Sequence, residues 1–238
     1  MPAVLVHGVP DTHHEWDGLL PLLSRTDVVT PDLPGFGCPV PDGFDCTKEA
    51  YASWLEGELE AIGEPVDLVG HDWGSLLVQY VGSTRPDLVR TWCVSDGPVD
   101  RDYVWHDTAQ LWQTPGVGEE VIAVMGGDTL AEGLRGIGHP SAANAAARVD
   151  DTMRAAILKL YRSAVHIGEE WQPAVERNQR PVLVVWGSED QPCPYRFGER
   201  LAERTGGRFV LFEGANHWAP VERPSEFAAL VQEFWAAH

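Results

Sequence analysis

Asp72 stands at the centre of Gly70-His71-Asp72-Trp73-Gly74, between an apolar run, Val66–Val69, and a helix-forming one, Leu76–Tyr80. A small-x-nucleophile-x-small pentapeptide joining a strand to a helix is a sharp turn that exposes its central side chain. Serine is the usual occupant of that centre; here it is aspartate. A free carboxylate has a pKa of about 3.9, so Asp72 is ionised at neutral pH and needs no base to activate it. It can displace a leaving group from a saturated carbon and form an alkyl ester. Water must then hydrolyse that ester, which requires a general base and donors for the oxyanion. A carboxylate that merely caps the following helix leaves the glycines at 70 and 74 unexplained. Ser75 lies three residues past Asp72, inside the helix, and that offset excludes it as the nucleophile of this turn.

The elements that must position this turn alternate between short β-rich runs and helical patterns, as in a parallel sheet covered by helices. The pattern predicts strands at Ala3–His7, Asp27–Pro31, Val66–Val69, Thr91–Ser95, Val182–Trp186 and Arg208–Phe212. Helices are predicted at Trp16–Leu23, Lys48–Ile62, Ser75–Thr84, Tyr195–Arg204 and Ser225–Ala237. Residues 99–179 break the alternation: helix formers such as Ala142–Ala147 and Met153–Tyr161 recur, glycine pairs interrupt them, and no strand is convincing. The segment is too long for a simple connection and is read as a helical cap inserted over a core of residues 1–98 and 180–238.

Composition bounds the function. The chain has 238 residues, 44% of them apolar, which suits one α/β domain with a sizeable core. Its net charge of −19 argues against nucleic acid or an anionic membrane as partner. No apolar window is long enough for a transmembrane span, and the N-terminus lacks the pattern of a secretory signal. Cys38, Cys46, Cys93 and Cys193 have no C-x-x-C spacing and read as free thiols of a cytoplasmic protein. No His/Cys/carboxylate spacing suits a metal and no phosphate-binding glycine pattern occurs, so no cofactor or metal is expected.

Further motifs lie at strand ends. His7-Gly8-Val9-Pro10 follows the first strand and Asp32-Leu33-Pro34-Gly35-Phe36-Gly37 the second; Gly187-Ser188-Glu189-Asp190 follows the fifth and Asn216-His217-Trp218 the sixth. The order nucleophile, acid, histidine and the GHDWG turn make the chain resemble the branch of the α/β-hydrolases that contains epoxide hydrolases and haloalkane dehalogenases. The resemblance covers nearly the whole chain. It implies an α/β-hydrolase fold, a mostly parallel sheet of about six strands with a helical cap. Family members usually carry two further strands before the HG-x-P strand, and the six residues ahead of His7 leave no room for them. The sheet edge near Asp27–Pro31 is then open, a pairing liability that predicts a homodimer or a locally covered edge.

The resemblance also implies roles. Asp72 is the nucleophile, His217 the base that activates water, and the backbone N–H groups of Val9 and Trp73 the oxyanion hole. Asp190 corresponds to the acid after the penultimate strand in epoxide hydrolases; Asp96, after the fourth strand, is the alternative seen in some dehalogenases, and Glu189 falls one residue short. An epoxide needs a proton donor for its oxygen. Tyr161, in Leu160-Tyr161-Arg162-Ser163, matches the cap tyrosine of epoxide hydrolases. A second cap tyrosine is usual there; the slot before Gln113-Thr114-Pro115-Gly116 holds Thr108, with Tyr103 nearby. A halide needs N–H donors instead, for which Trp73 with Trp105 or Trp112 would serve. Arginine, which follows the nucleophile in fluoroacetate dehalogenases, is replaced by Trp73, and this disfavours a haloacid. The expected substrate is thus a small apolar organic molecule, attacked with water as co-reactant. Epoxide opening is the preferred reading, carbon–halogen hydrolysis the alternative, and a non-catalytic binder of apolar ligands a third that has no need of nucleophile, acid and histidine together.

Overall fold

The computed structural model describes all 238 residues, Met1–His238. Six strands form one parallel sheet: β1 (Ala3–Val6), β2 (Val28–Val29), β3 (Val66–His71), β4 (Val89–Ser95), β5 (Val182–Gly187) and β6 (Arg208–Phe212), in the order β2-β1-β3-β4-β5-β6. This is the α/β-hydrolase fold with the six-stranded sheet expected. β1 and β3 are adjacent and central, so the loops leaving their C-terminal ends meet: Val6 pairs with Gly70 across that boundary.

Successive residues of each strand face opposite layers, and both layers are apolar. Val4, Val6, Leu68, Val94, Val184 and Trp186 pack into one cluster with α1 (Lys48–Ile62), α2 (Trp73–Thr84) and α9 (Arg196–Thr205). Ala3, Leu5, Val69, Cys93, Leu183 and Val185 face the other side, where Phe227, Val231 and Phe234 of α11 (Pro224–Ala237) close over them. A short helix, α10 (Ala219–Glu222), precedes α11. The largest interior side chains, including Trp92 and Trp186, are fully buried, and each large apolar side chain so buried is worth about 1.5–3 kcal/mol.

Residues 99–179 hold six helices and no strand: α3 (Asp107–Gln113), α4 (Val117–Ala123), α5 (Gly127–Gly136), α6 (Ala142–Arg148), α7 (Asp151–Ser163) and α8 (Ile167–Val175). Their entry is pinned by Asp100, whose buried carboxylate accepts from Arg204 at 2.6 Å and pairs with Arg200 at 3.2 Å, both on α9. Met153, Ile157, Leu160 and Tyr161 of α7 join the cluster above α1 and α2. No helix is long and apolar enough to cross a membrane.

Two local readings are corrected. The helix expected at Trp16–Leu23 is replaced by two 3-10 turns, His13–Trp16 and Leu20–Leu22. Pro21 sits in the second; an α-helix running through it would lose a hydrogen bond and clash with the preceding turn. The strand expected at Asp27–Pro31 shrinks to Val28 and Val29, paired only with Ala3 and Val4. Pro31 cannot donate to a ladder, and Asp27 adds only a single bond to β1, its carbonyl accepting from Ala3 N–H at 2.9 Å.

Candidate active site

β3 delivers the chain into a strained turn. Asp72 has φ 48° and ψ −117°, a region that L residues rarely occupy and that stores of order 1–3 kcal/mol. Neighbouring backbones close in around it. A Cβ on Gly70 would lie 2.3 Å from the Gly74 carbonyl oxygen, and one on Gly74 would lie 2.1 Å from that of Val6. Both positions therefore require glycine. α2 begins at the next residue, Trp73, whose amide is among the unbonded N–H groups of a helix start.

The Asp72 carboxylate is held at both oxygens. Val9 N–H donates to Oδ1 at 2.7 Å, and His217 Nε2 lies 3.4 Å from Oδ2. His217 Nδ1–H donates to Asp190 Oδ2 at 3.0 Å; Asp190 Oδ1 accepts from Cys193 N–H at 2.8 Å, which fixes the carboxylate. The acid that reaches His217 is thus Asp190. Asp96 makes no such contact: its Oδ1 accepts from Gly187 N–H at 2.9 Å and Ser95 Oγ donates to its Oδ2. Glu189 is exposed and turns to Ser188.

The electrostatics separate these carboxylates. Burial opposes ionisation of Asp72, but the hydrogen bond and charge of His217, the charge of His71 and the Val9 N–H outweigh it and hold the carboxyl below its ordinary range. Burial and the nearby Asp190 charge push Asp96 up to about 8, so it is neutral at pH 7. Burial disfavours the charged His217 ring, yet Asp190 and Asp72 together raise it well above an ordinary histidine. The free site therefore rests as an imidazolium between two carboxylates.

A cavity of about 860 Å³ opens above Asp72, between it and helices α3, α4, α5 and α7. Val9, Pro10, Trp112, Met125, Leu134 and Ile137 give it an apolar wall, and no lysine or arginine lines it. Tyr161 reaches it from α7; burial, with the Asp72 charge, raises the phenol well above its ordinary value, so it keeps its proton. The ring of Tyr161 packs edge-on against Trp73 and Trp112, at centroid distances of 5.2 and 4.8 Å. Both of those indole N–H groups are buried without a hydrogen-bond partner.

Two alternative donors are corrected here. Trp105 Nε1–H is committed to the Ala164 carbonyl at 3.0 Å, and the Tyr103 hydroxyl to that of Pro192, also at 3.0 Å. Thr108 is exposed and lines the cavity mouth.

Sequence reading missed His106. Its Nδ1 accepts from Ala109 N–H at 3.3 Å, capping α3, so the ring proton is on Nε2 and the ring lines the cavity. Burial and the nearby His217 lower its pKa and keep it neutral. The only signal was its place one residue before a helix. The segment after α5 is also tied to the His217 loop through Asp11, which accepts from Trp218 Nε1–H at 2.9 Å and meets His139 Nε2 at 3.1 Å.

Asp190, Cys193 and His217 bring three atoms able to bind a metal within 4.8 Å of one another. Asp190 and His217 already satisfy each other, and burial raises the Cys193 thiol well above its ordinary value. The arrangement orients an imidazole; it is not the set of deprotonated ligands that a metal demands.

Comparison with known proteins places the chain in context. A family model described as "Alpha/beta hydrolase family" matches residues 3–230. A pimeloyl-[acyl-carrier protein] methyl ester esterase of Neisseria meningitidis serogroup B is 28% identical over 97% of this chain and 91% of its own length. Epoxide hydrolase A of Mycobacterium tuberculosis is 27% identical over 98% of this chain and 89% of its own length. Two solved structures share the fold. A haloalkane dehalogenase from Bradyrhizobium elkani has a TM-score of 0.79 at 22% identity, covering 100% of this chain and 91% of the other. An epoxide hydrolase from Vigna radiata has a TM-score of 0.81 at 20% identity, covering 100% and 92%.

Proposed function

The chain belongs to the alpha/beta hydrolase family, and on that premise we propose that it hydrolyses epoxides to vicinal diols through an ester on Asp72. Asp72 Oδ2 attacks a ring carbon, the carbon–oxygen bond breaks, and the oxygen takes the proton of Tyr161. Esterification removes the charge of Asp72, one of the two carboxylates that hold His217 protonated. The ring then passes its proton to the Tyr161 phenolate and acts as base: Nε2 takes a proton from water and the hydroxide adds to Asp72 Cγ. Oδ1, already bonded to Val9 N–H at 2.7 Å, becomes the oxyanion, with the Trp73 amide as second donor; each such donor is worth about 2.7–4 kcal/mol. Collapse expels the second oxygen of the diol, which takes the proton of the added hydroxyl and leaves the Asp72 carboxylate; the proton taken from water stays on His217 and restores the imidazolium.

The observation that carries this reading is Tyr161, a protonated phenol lining the same cavity as the Asp72 carboxylate. The Nε2–H of His106 provides a neutral second donor for the leaving oxygen, in place of a second tyrosine. The apolar wall without a cation favours a neutral substrate. A serine-esterase mechanism has no support at this turn, because Ser75 Oγ is buried and donates to the Gly97 carbonyl at 2.7 Å.

One observation favours a second reading, carbon–halogen hydrolysis: the unpartnered indole N–H groups of Trp73 and Trp112 suit an outgoing halide. The test is to incubate His217→Gln with epoxide and haloalkane panels and weigh the intact protein. An adduct on Asp72 from epoxides, with ring opening reduced about 100-fold or more in Tyr161→Phe, is the expected result. An adduct from haloalkanes alone, with free halide released, would select the second reading, and no adduct from either panel would sink both.

A further inference from the structure

Asp11 stands two residues after Val9, and the proposed reaction does not use it. Its side chain is 7% exposed. Both carboxylate oxygens accept a hydrogen bond, and the two donors come from separate segments. Oδ2 takes Trp218 Nε1–H at 2.9 Å, from the residue after His217. Oδ1 takes His139 Nε2–H at 3.1 Å, from the turn that follows α5. His139 Nδ1 accepts from Ser141 N–H at 3.0 Å, which leaves the ring proton on Nε2, facing Asp11. Burial works against the Asp11 charge, yet the His139 and Trp218 hydrogen bonds hold the carboxyl below its ordinary range. Two buried N–H donors need two acceptor atoms, which a carboxylate has and an asparagine lacks.

The surroundings of this carboxylate show what it joins. α5 and α6 share a small apolar cluster, Ala131, Leu134, Ala142, Ala145 and Ala146, and its one buried member from elsewhere in the chain is Trp218. The His139 ring lies 4.4 Å from that indole, and the His217 ring meets it nearly perpendicular at 4.8 Å. Gly138 has φ 90°, and a Cβ there would lie 2.5 Å from the Asn216 Cβ. The end of α5 thus abuts the loop that carries His217. The same helix supplies cavity wall through Thr129, Leu130, Gly133 and Leu134, with Ile137 just beyond it. Apolar contact is non-directional and leaves such a helix free to slide; two hydrogen bonds to one carboxylate fix its register.

We propose that Asp11 is a positioning residue that sets substrate reach. Through His139 and Trp218 it registers the α5 wall against the His217 loop, and so fixes the depth of the cavity over Asp72. Neutral epoxides bulky enough to touch Leu130, Leu134 and Ile137 gain from a wall already in place, and small ones do not reach it. The inference rests on the reading of Asp72 as a nucleophile toward epoxides.

The first arm of the test needs no substrate. Hydrogen exchange of the full chain, read by mass spectrometry, reports local opening. Amides of residues 127–148 should exchange about tenfold faster in Asp11→Asn and in His139→Leu, each of which loses one buried hydrogen bond. Exchange in β3 and β5 should not change. His139→Gln offers an N–H where Nε2 stands and should remain within about threefold of wild type. The second arm compares styrene oxide with trans-stilbene oxide, which carries one more ring. In His139→Leu the ratio of kcat/KM for the larger epoxide over the smaller should fall about tenfold, because a wall out of register no longer packs on the second ring. The change should lie in KM, with kcat for both epoxides held, as expected when only binding is lost.

Exchange in residues 127–148 within about twofold of wild type in whichever variant folds would overturn the proposal. So would acceleration spread evenly over β3 and β5, a Gln variant as fast as the Leu variant, or an unmoved preference between the two epoxides. A wild type that forms no Asp72 ester with either epoxide would instead refute the reading of the nucleophile, and the exchange arm would still decide whether Asp11 holds the wall.

Discussion

Asp190→Asn separates the two halves of the proposed reaction. Both Asp190 oxygens are acceptors, Oδ2 for His217 Nδ1–H at 3.0 Å and Oδ1 for Cys193 N–H at 2.8 Å. Asparagine has only one acceptor atom there. If its oxygen stays with Cys193, its NH₂ faces Nδ1; the His217 ring then carries its proton on Nε2 and cannot take one from water. If the amide is rotated, the Cys193 N–H is left buried and unpaired, at about 1–3 kcal/mol. The charge is lost either way. Opposite unit charges 3.0 Å apart interact by about 5 kcal/mol at an effective dielectric near 20. Part of that gain is returned because the carboxylate no longer has to be desolvated, leaving about 2–4 kcal/mol. Ester hydrolysis should therefore slow roughly 30- to 1,000-fold. Attack by Asp72 uses no base, so ester formation should fall much less. Quenched-flow sampling followed by intact-mass analysis should show near-stoichiometric ester in Asp190→Asn, with a burst in steady-state turnover. Asp96→Asn should accumulate none, since Asp96 is already neutral at pH 7. Hydrolysis within threefold of wild type in Asp190→Asn, or an ester that accumulates in Asp96→Asn instead, would refute this assignment of the orienting acid.

Two further predictions concern the frame around the site. Gly74→Ala would place a Cβ 2.1 Å from the Val6 carbonyl oxygen of central strand β1, where no flexible side chain can yield. The cost should be at the upper end of overpacking, about 3 kcal/mol, lowering Tm by roughly 6–12 °C in calorimetry; a drop below about 1 °C would show that the turn can widen. Stability should also depend on pH through His71. Burial works against its charge, but the Glu15 carboxylate raises its folded pKa to about 9, above the ordinary value of about 6.5, so its contribution is full below about pH 6.5 and is lost as pH rises through about 9. The change amounts to about 3 kcal/mol. Urea unfolding of His217→Gln, which removes the parallel contribution of His217, should show this loss between pH 6 and 10, and Glu15→Gln in that background should abolish it. An unchanged pH slope on adding Glu15→Gln would assign the dependence to other groups.

What the sequence made legible was what period and spacing encode. Alternating β-rich and helical runs gave the parallel sheet, and glycines two residues either side of Asp72 marked a turn that tolerates no Cβ at either position. Local chemistry also explains one miss: Pro21 broke the helix expected over Trp16–Leu23 into 3-10 turns. Among the candidate donors of residues 99–179, residue type alone was insufficient. Trp105 and Trp112 are both tryptophans in one short stretch, yet one N–H meets the Ala164 carbonyl and the other meets nothing. Which is free depends on how α3 lies on α7, a matter of packing between segments distant in the chain.

The charged interior was the least legible part, and for a related reason. Hydrophobic patterning treats Glu15, Asp67, His71 and Asp96 as interruptions, but all four are buried. Each is tolerated through a partner far along the chain. Asp67 is held by Arg25, Arg90 and Thr91, and Asp96 is discharged by its surroundings. Glu15 looked like one more polar residue in His13-His14-Glu15, yet its carboxylate meets the His71 ring and raises its pKa to about 9. The proposed reaction needs Asp72 ionised and His217 ready to lose a proton, and fixed charge close by serves both. The fold supplies it at positions where an apolar residue would have packed more cheaply, so the residues that fit the core pattern least are the ones that most deserve mutation.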